Sequence, residues 1–128
     1  MQKLIFVSII TVAVVGAPNS RAHHAFAAVF SGDDAVHVTG TVTKVEWTNP
    51  HVWFYVDEHN GEKTISWAFE MGSPNGLVRL GWRKNNLHPG QSVTVDGYRA
   101  KDGSAMASDK SVTTTDGRSL SGASSKED

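Results

Sequence analysis

The chain contains no cysteine. That excludes disulfides, a thiolate nucleophile and a soft thiolate metal site, so an exported form must be held together by its core alone. No apolar run is long enough to span a bilayer: the longest, Leu4 to Ala17, falls short of the roughly 20 residues a spanning helix needs. Neither sign of charge dominates, with 12 Lys and Arg against 13 Asp and Glu. Without a basic patch, a nucleic-acid partner is not expected. There is no internal repeat, no Ser/His/Asp arrangement, no phosphate loop, no HExxH and no dinucleotide fingerprint. These absences together point away from an enzyme and towards a binding module.

The first feature present is a leader. Lys3 supplies a short positive region, Leu4 to Ala17 an apolar one, and Pro18 breaks it before Ser20 and Ala22, small residues at the −3 and −1 positions of a signal-peptidase site. Residues 1–22 read as a signal peptide, which predicts a periplasmic or secreted protein with no membrane span after cleavage. Ala25-Phe26-Ala27 offers a second cut, farther from the apolar run. Loss of Lys3 and Arg21 with the leader moves the formal charge from −1 to −3.

The remaining chain reads as an N-terminal segment (23–35), one domain (36–120) and a polar, disordered tail (121–128). Val36 to Trp47 alternates apolar and polar residues but changes phase near Thr43-Lys44, which predicts a bulged, bent first strand with Gly40 inside it. After a turn at Thr48-Asn49-Pro50, His51 to Asp57 reads as a second strand. A hairpin loop over Glu58 to Glu62, with Asn60-Gly61 at its tip, leads to a third strand, Lys63 to Glu70. Ser73 as N-cap and Pro74 at the first helical position open a short helix to Leu80, stopped by Gly81. Strands at Gln91 to Ala100 and Ala105 to Thr114 follow, and Asp116-Gly117 closes a turn. Three strands, a helix and two strands make an all-β domain, a small five-stranded barrel like the OB-fold with its helix between strands 3 and 4. A different small barrel or a half-open sandwich is the alternative.

The segments HHAFAAVF, VTGTVTKVEWTNPHVWFYVD, WAFEMGSPNGLVRLGW and LHPGQSVTVDGYRAKDGS resemble a family of small exported bacterial proteins, domain of unknown function 6152. The resemblance runs from about His23 to Leu120. It implies a signal-bearing single domain and supplies no activity.

Candidate chemistry begins at His23-His24. Cleavage after Ala22 leaves a free α-amine beside the His23 imidazole, a chelating pair suited to Cu(II), with His24 or a barrel histidine to complete the set. His51 is the third candidate metal ligand. Amine and imidazole titrate near pH 8 and 6.5, so such binding weakens below about pH 6. The plain alternative is an N-terminal tail that binds nothing. His51, Trp53 and Tyr55 share one face of the second strand, and Val52, Phe54 and Val56 the core face. The first face, with Trp47 and Glu70, either takes up a small ligand by stacking or a protein partner, with no metal, or lies beneath Phe26 and Phe30, which would carry His23 and His24 towards His51. Glu46 and Glu70 at strand ends suit acid–base work or pairing with Arg79, Arg83 or Arg99. Met71 reads as core filler or a soft copper ligand, and Ser73 to Gly76 as a helix cap or an anion seat. His37, His59 and His88 read as solvated.

Overall fold

The computed structural model describes the backbone of residues 20–123, with side chains from Ala25 onward. Lys3, Leu4 to Ala17 and Pro18 of the expected leader lie outside the described residues, as do the side chains of His23 and His24 and the tail beyond residue 123. The chain runs α1 (Ser20–Val29), β1 (Phe30–Glu46), β2 (Trp53–Asn60), β3 (Lys63–Glu70), α2 (Pro74–Arg79), β4 (Ser92–Ala100), β5 (Met106–Thr114) and β6 (Ser119–Ser121). It is mostly β. The six strands form one sheet in the order β3-β2-β1-β4-β5-β6, with antiparallel neighbours. In addition, β3 pairs in parallel with β5, Ala68–Glu70 against Met106–Ser108.

The count of five strands and one helix is therefore corrected, among the described residues, to six and two. β6 has three residues, too few for an alternation to be visible. It forms because the turn at Asp116-Gly117 throws the chain back along β5, where the Thr114 N–H donates to Arg118 O. β6 takes in Ser121, the first residue of the expected tail. β1 starts at Phe30, earlier than Val36, because pairing with β4 overrides the poor strand propensity of Ser31-Gly32-Asp33-Asp34; the register slips between Phe30 and Ala35.

Other local readings match the structure closely. β3 spans Lys63–Glu70. The phase change in β1 is a register slip against β2 between Val42 and Lys44. Gly40 sits where β1 passes β2 so closely that a Cβ would collide with the Asp57 carbonyl. Ser73 Oγ accepts the Gly76 N–H at 3.2 Å, and Pro74 opens α2. The hairpin turn is Gly61-Glu62, one residue later than expected, because Asn60 pairs with Lys63; Gly61 supplies the positive φ of 64°. His51 precedes β2. Val52 reaches past the end of β3 instead, its N–H donating to Gly72 O and its carbonyl accepting from Met71 N–H.

The main core holds Val38, Val42, Phe54, Phe69, Trp82 and Val95, each at most 2% exposed. A second cluster, Phe26, Phe30, Tyr98 and Ala100, fastens α1 to the outside of the sheet. Its Phe26 ring meets Phe30 at 5.6 Å and Tyr98 edge-on at 5.8 Å. Lys101 caps the end of α1: its N–H donates to Val29 O and its Nζ to Ala27 O, a cation at a helix C-terminus. No helix among the described residues is long and apolar enough to cross a membrane.

Candidate functional site beneath the N-terminal helix

Strand register builds the site. Glu46 pairs with Trp53, Trp53 with Glu70, Glu70 with Ser108, Ser108 with Tyr98 and Tyr98 with Ala35. Paired positions point to the same side of a sheet, so these six residues form one row across it. Helix α1 lies over the Tyr98–Ser108–Glu70 part of the row and leaves Trp53 and Glu46 beyond its edge. A cavity of about 190 Å³ is left beneath the helix. Ala25, Phe26, Val29 and Phe30 roof it; Met71, Ser108 and Ala123 form its apolar and hydroxyl walls; His51 and Glu70 are its ionisable groups.

The His51 ring is held in a defined orientation. Its Nδ1 lies 2.9 Å from the Met71 carbonyl oxygen, which can only accept, so Nδ1 carries the hydrogen. Nε2 makes no hydrogen bond among the described residues, and in the neutral ring it is the nitrogen that carries the lone pair. The same Nδ1 lies 3.2 Å from Glu70 Oε1. Burial pushes the Glu70 carboxyl above its ordinary value, against the pull of His51. A backbone carbonyl and a carboxylate fixing one ring nitrogen while the other stays open is the usual support of a metal-binding or ligand-binding imidazole.

The other expected site residues lie elsewhere. Tyr55 donates its hydroxyl to Glu46 Oε2 at 3.0 Å, and Lys44 Nζ lies 2.5 Å from Glu46 Oε1 and 5.5 Å above the Tyr55 ring. Those bonds hold the Glu46 carboxyl below its usual range, Lys44 first and Tyr55 second. Trp47 packs against the main core and borders a shallow cleft with Glu46, Thr48 and Lys84. Trp53 is half-buried in the row between its two glutamates. Phe26 and Phe30 therefore do not cover the whole His51–Trp53–Tyr55 face: of the three, only His51 borders the cavity under α1. Among the described residues neither glutamate pairs with an arginine; Arg99 reaches Asp34 at 3.6 Å and stacks over Trp67 at 4.9 Å. His37, His59 and His88 are exposed, and His37 Nδ1 lies 2.6 Å from Asp96 Oδ1. Among the described residues, no three His, Asp or Glu side chains converge in a metal-holding group. His23 and His24 belong to the first turns of α1, and their side chains are outside the described residues.

Two site features were not read from the sequence. Ser108 joins the row only through the parallel β3–β5 pairing, a contact with no local signal. Asp109 is fully buried, and neither carboxyl oxygen has a hydrogen-bond partner. Burial pushes it well above the ordinary carboxylate range, the Asp96 charge adds to this, and the Ser111 amide, outside hydrogen-bonding geometry, pulls weakly the other way.

No curated protein matches the chain. One family model does, over residues 11–109, a span that begins in the expected leader and ends in β5, short of β6. The chain belongs to that family, the family of unknown function DUF6152.

Proposed function

We propose that this protein is an exported binding protein, not a catalyst, and that its site is the cavity beneath α1. The ligand is a metal ion of the Cu(II) type, held by His51 Nε2 together with the α-amine and imidazole of His23 after cleavage at Ala22, with His24 as the remaining donor. One observation carries this reading: His51, tethered through Nδ1 to Met71 O and with no hydrogen bond on Nε2 among the described residues, borders a cavity roofed by the helix that carries His23 and His24. Nitrogen donors and a planar set suit Cu(II) above the other divalent first-row ions. Glu70 serves as the carboxylate that orients the imidazole, not as a ligand. The described residues offer one imidazole here, so the remaining donors must come from the chain before Ala25.

The test is intact mass of the protein exported by its native route, then Cu(II) titration of that material. The expected result is a mature N-terminus at His23 and one retained equivalent of copper, lost in His51→Ala and when the α-amine is blocked. Cleavage after Ala27, or copper retention unaffected by His51→Ala, overturns the reading. The lining of Phe26, Val29, Phe30 and Met71 favours a second reading, a small organic ligand with one polar end and no metal. Its signature is a ligand-induced change in Trp fluorescence that survives a chelator. The aromatic set Trp47, Trp53 and Tyr55 is the less favoured docking face for such a ligand, because the Tyr55 hydroxyl is already bonded to Glu46.

The chain of pairings β1–β2–β3–β5–β4–β1 returns to its starting strand, with α2 between β3 and β4. It supports reading the sheet as a small closed barrel of the OB type, with β6 as an added strand on β5. Closure leaves few open edges, useful in an exported chain without disulfides.

A further inference from the structure

We propose that Asp109 is the trigger of a proton-operated latch: its carboxyl allows the C-terminal strap, residues 119–123, to lie closed over it while protonated, and its ionisation releases the strap and opens the cavity beneath α1. The proposal rests on the reading of that cavity as the binding site.

The geometry begins with Gly122, which forms the roof over Asp109. A Cβ on Gly122 would collide with the Asp109 carboxyl and carbonyl groups, so only glycine allows so close an approach. The carboxyl beneath has no hydrogen bond and no solvent. An unpartnered buried carboxyl is tolerated as the neutral acid and expelled as the anion. The charged groups around it offer the anion nothing. β4 brings Asp96, already bound to His37 of β1 at 2.6 Å. β3 brings Glu70, paired in register with Ser108 and engaged by His51. Lys110, next in β5, is exposed at the bulge. Beyond α2, Arg83 turns to the Trp82 carbonyl. The strap, Ser119 to Ala123, has no charged side chain.

The easiest way for water to reach Asp109 is to lift the strap, because β6 is three residues long and Leu120 and Ala123 are only partly buried where they pack on the core. Beside the short β5–β6 ladder over Ser119–Ser121 and the packing of Leu120 and Ala123 on the core, three bonds hold the strap: Trp82 Nε1–H donates to Ser121 O at 2.7 Å, Gly122 N–H to Lys110 O at 2.9 Å, and Gly72 N–H to Gly122 O at 2.9 Å. The next residue links the strap to the site. Ala123 forms part of the cavity wall and sits at φ 56°, the left-handed region that an alanine adopts at a cost. Lifting Gly122 relieves that conformation and removes Ala123 from the wall in one movement.

The experiment is hydrogen exchange by NMR on the mature chain without added metal, from pH 5 to pH 8. Protection factors, corrected for intrinsic exchange, are followed for the Gly72 and Gly122 amides and the Trp82 indole N–H. The expected result is strap protection far below that of the Val56 and Phe69 amides, falling about tenfold per pH unit, as release of one proton on opening requires. In Asp109→Asn the strap profile becomes flat. Cu(II) association is timed on the same samples, and the ratio of the wild-type to the Asp109→Asn rate should rise with pH. Strap protection independent of pH, or equal to that of the core amides, overturns the latch whether or not the variant folds. A slope kept in Asp109→Asn also overturns it, and a rate ratio that stays constant overturns its link to the cavity. If the exchange follows Asp109 while neither protein takes up copper at any pH, the latch stands and the metal reading of the cavity fails.

Discussion

Replacing Asp109 by Asn should reverse part of the pH dependence of this protein's stability. The side chain is fully buried, without a hydrogen bond, and lies near the negative charge of Asp96. Its folded state therefore keeps a proton that the unfolded chain releases near the ordinary value of 3.8. With the folded pKa raised, the stabilising contribution is complete below that ordinary value and is lost as pH rises towards the folded pKa. Each pH unit in that window costs about 1.4 kcal/mol, so two units cost about 2.7 kcal/mol while the carboxyl remains protonated. Asparagine has nearly the same shape and no charge to lose. Its buried amide brings a penalty of its own, on the order of 1–3 kcal/mol, but one that does not vary with pH. The quantity to measure is thus the difference in unfolding free energy between Asp109→Asn and wild type, by urea denaturation at half-unit intervals from pH 4 to pH 8. Other titrating groups, Glu70 with the same sign and the half-buried Glu46 and exposed Asp102 and Asp116 with the opposite one, cancel in that difference. The difference should move in favour of the variant as pH rises, at close to 1.4 kcal/mol per unit, and then level off. Parallel profiles, with a constant offset and no slope, would refute the reasoning, because they would mean that Asp109 ionises as easily folded as unfolded.

Two further perturbations separate the core from what is attached to it. Gly40→Ala drives a Cβ into the Asp57 carbonyl where β1 passes β2, a backbone contact that cannot swing aside, and should cost about 3 kcal/mol by chemical denaturation; an unchanged midpoint would mean that the strands pass less closely. Phe26→Ala removes the ring that fastens α1 to Tyr98 and should detach the helix, lowering the helical circular-dichroism signal and amide protection over Ala25–Val29. The sheet should then lose less than the ~3–5 kcal/mol typical of a Phe→Ala change in a core, and a loss of that full size would show that α1 folds as one unit with it.

What was legible in the sequence was whatever has a period or a fixed local chemistry. Val52, Phe54 and Val56 alternate and are all buried; the slipped phase near Thr43 marks the bulge; Ser73-Pro74 caps α2. What was not legible depends on residues far apart in the chain. Ser119-Leu120-Ser121 has no pattern of its own and becomes a strand because β5 is there to receive it. Ser108-Asp109-Lys110 reads as a polar surface tripeptide, yet Asp109 is buried because the register slips between Gly97 and Asp96 and the strap closes over it. Glu70 drew attention by its place at a strand end, but that it meets His51 and no arginine is decided by how Val52 bonds back to Met71 and Gly72.

The same division runs through the site. Its polar pair comes from the middle of the chain: His51 bonded to Met71 O beside Val52, and Glu70 at the end of β3, both held by residues of the main core. Its cover comes from the two ends of the described chain, α1 on one side and Ala123 on the other. Each cover is held by a limited set of contacts: one ring cluster and a lysine cap for α1; a three-residue strand pairing, Leu120 and a few hydrogen bonds for the strap. Local opening draws on the least stable parts of a fold, so these covers can move while the imidazole keeps its orientation. A ligand that must be held in one geometry, and yet admitted and released, requires that combination, and Phe26 and Asp109 are the residues at which the two covers can be loosened independently.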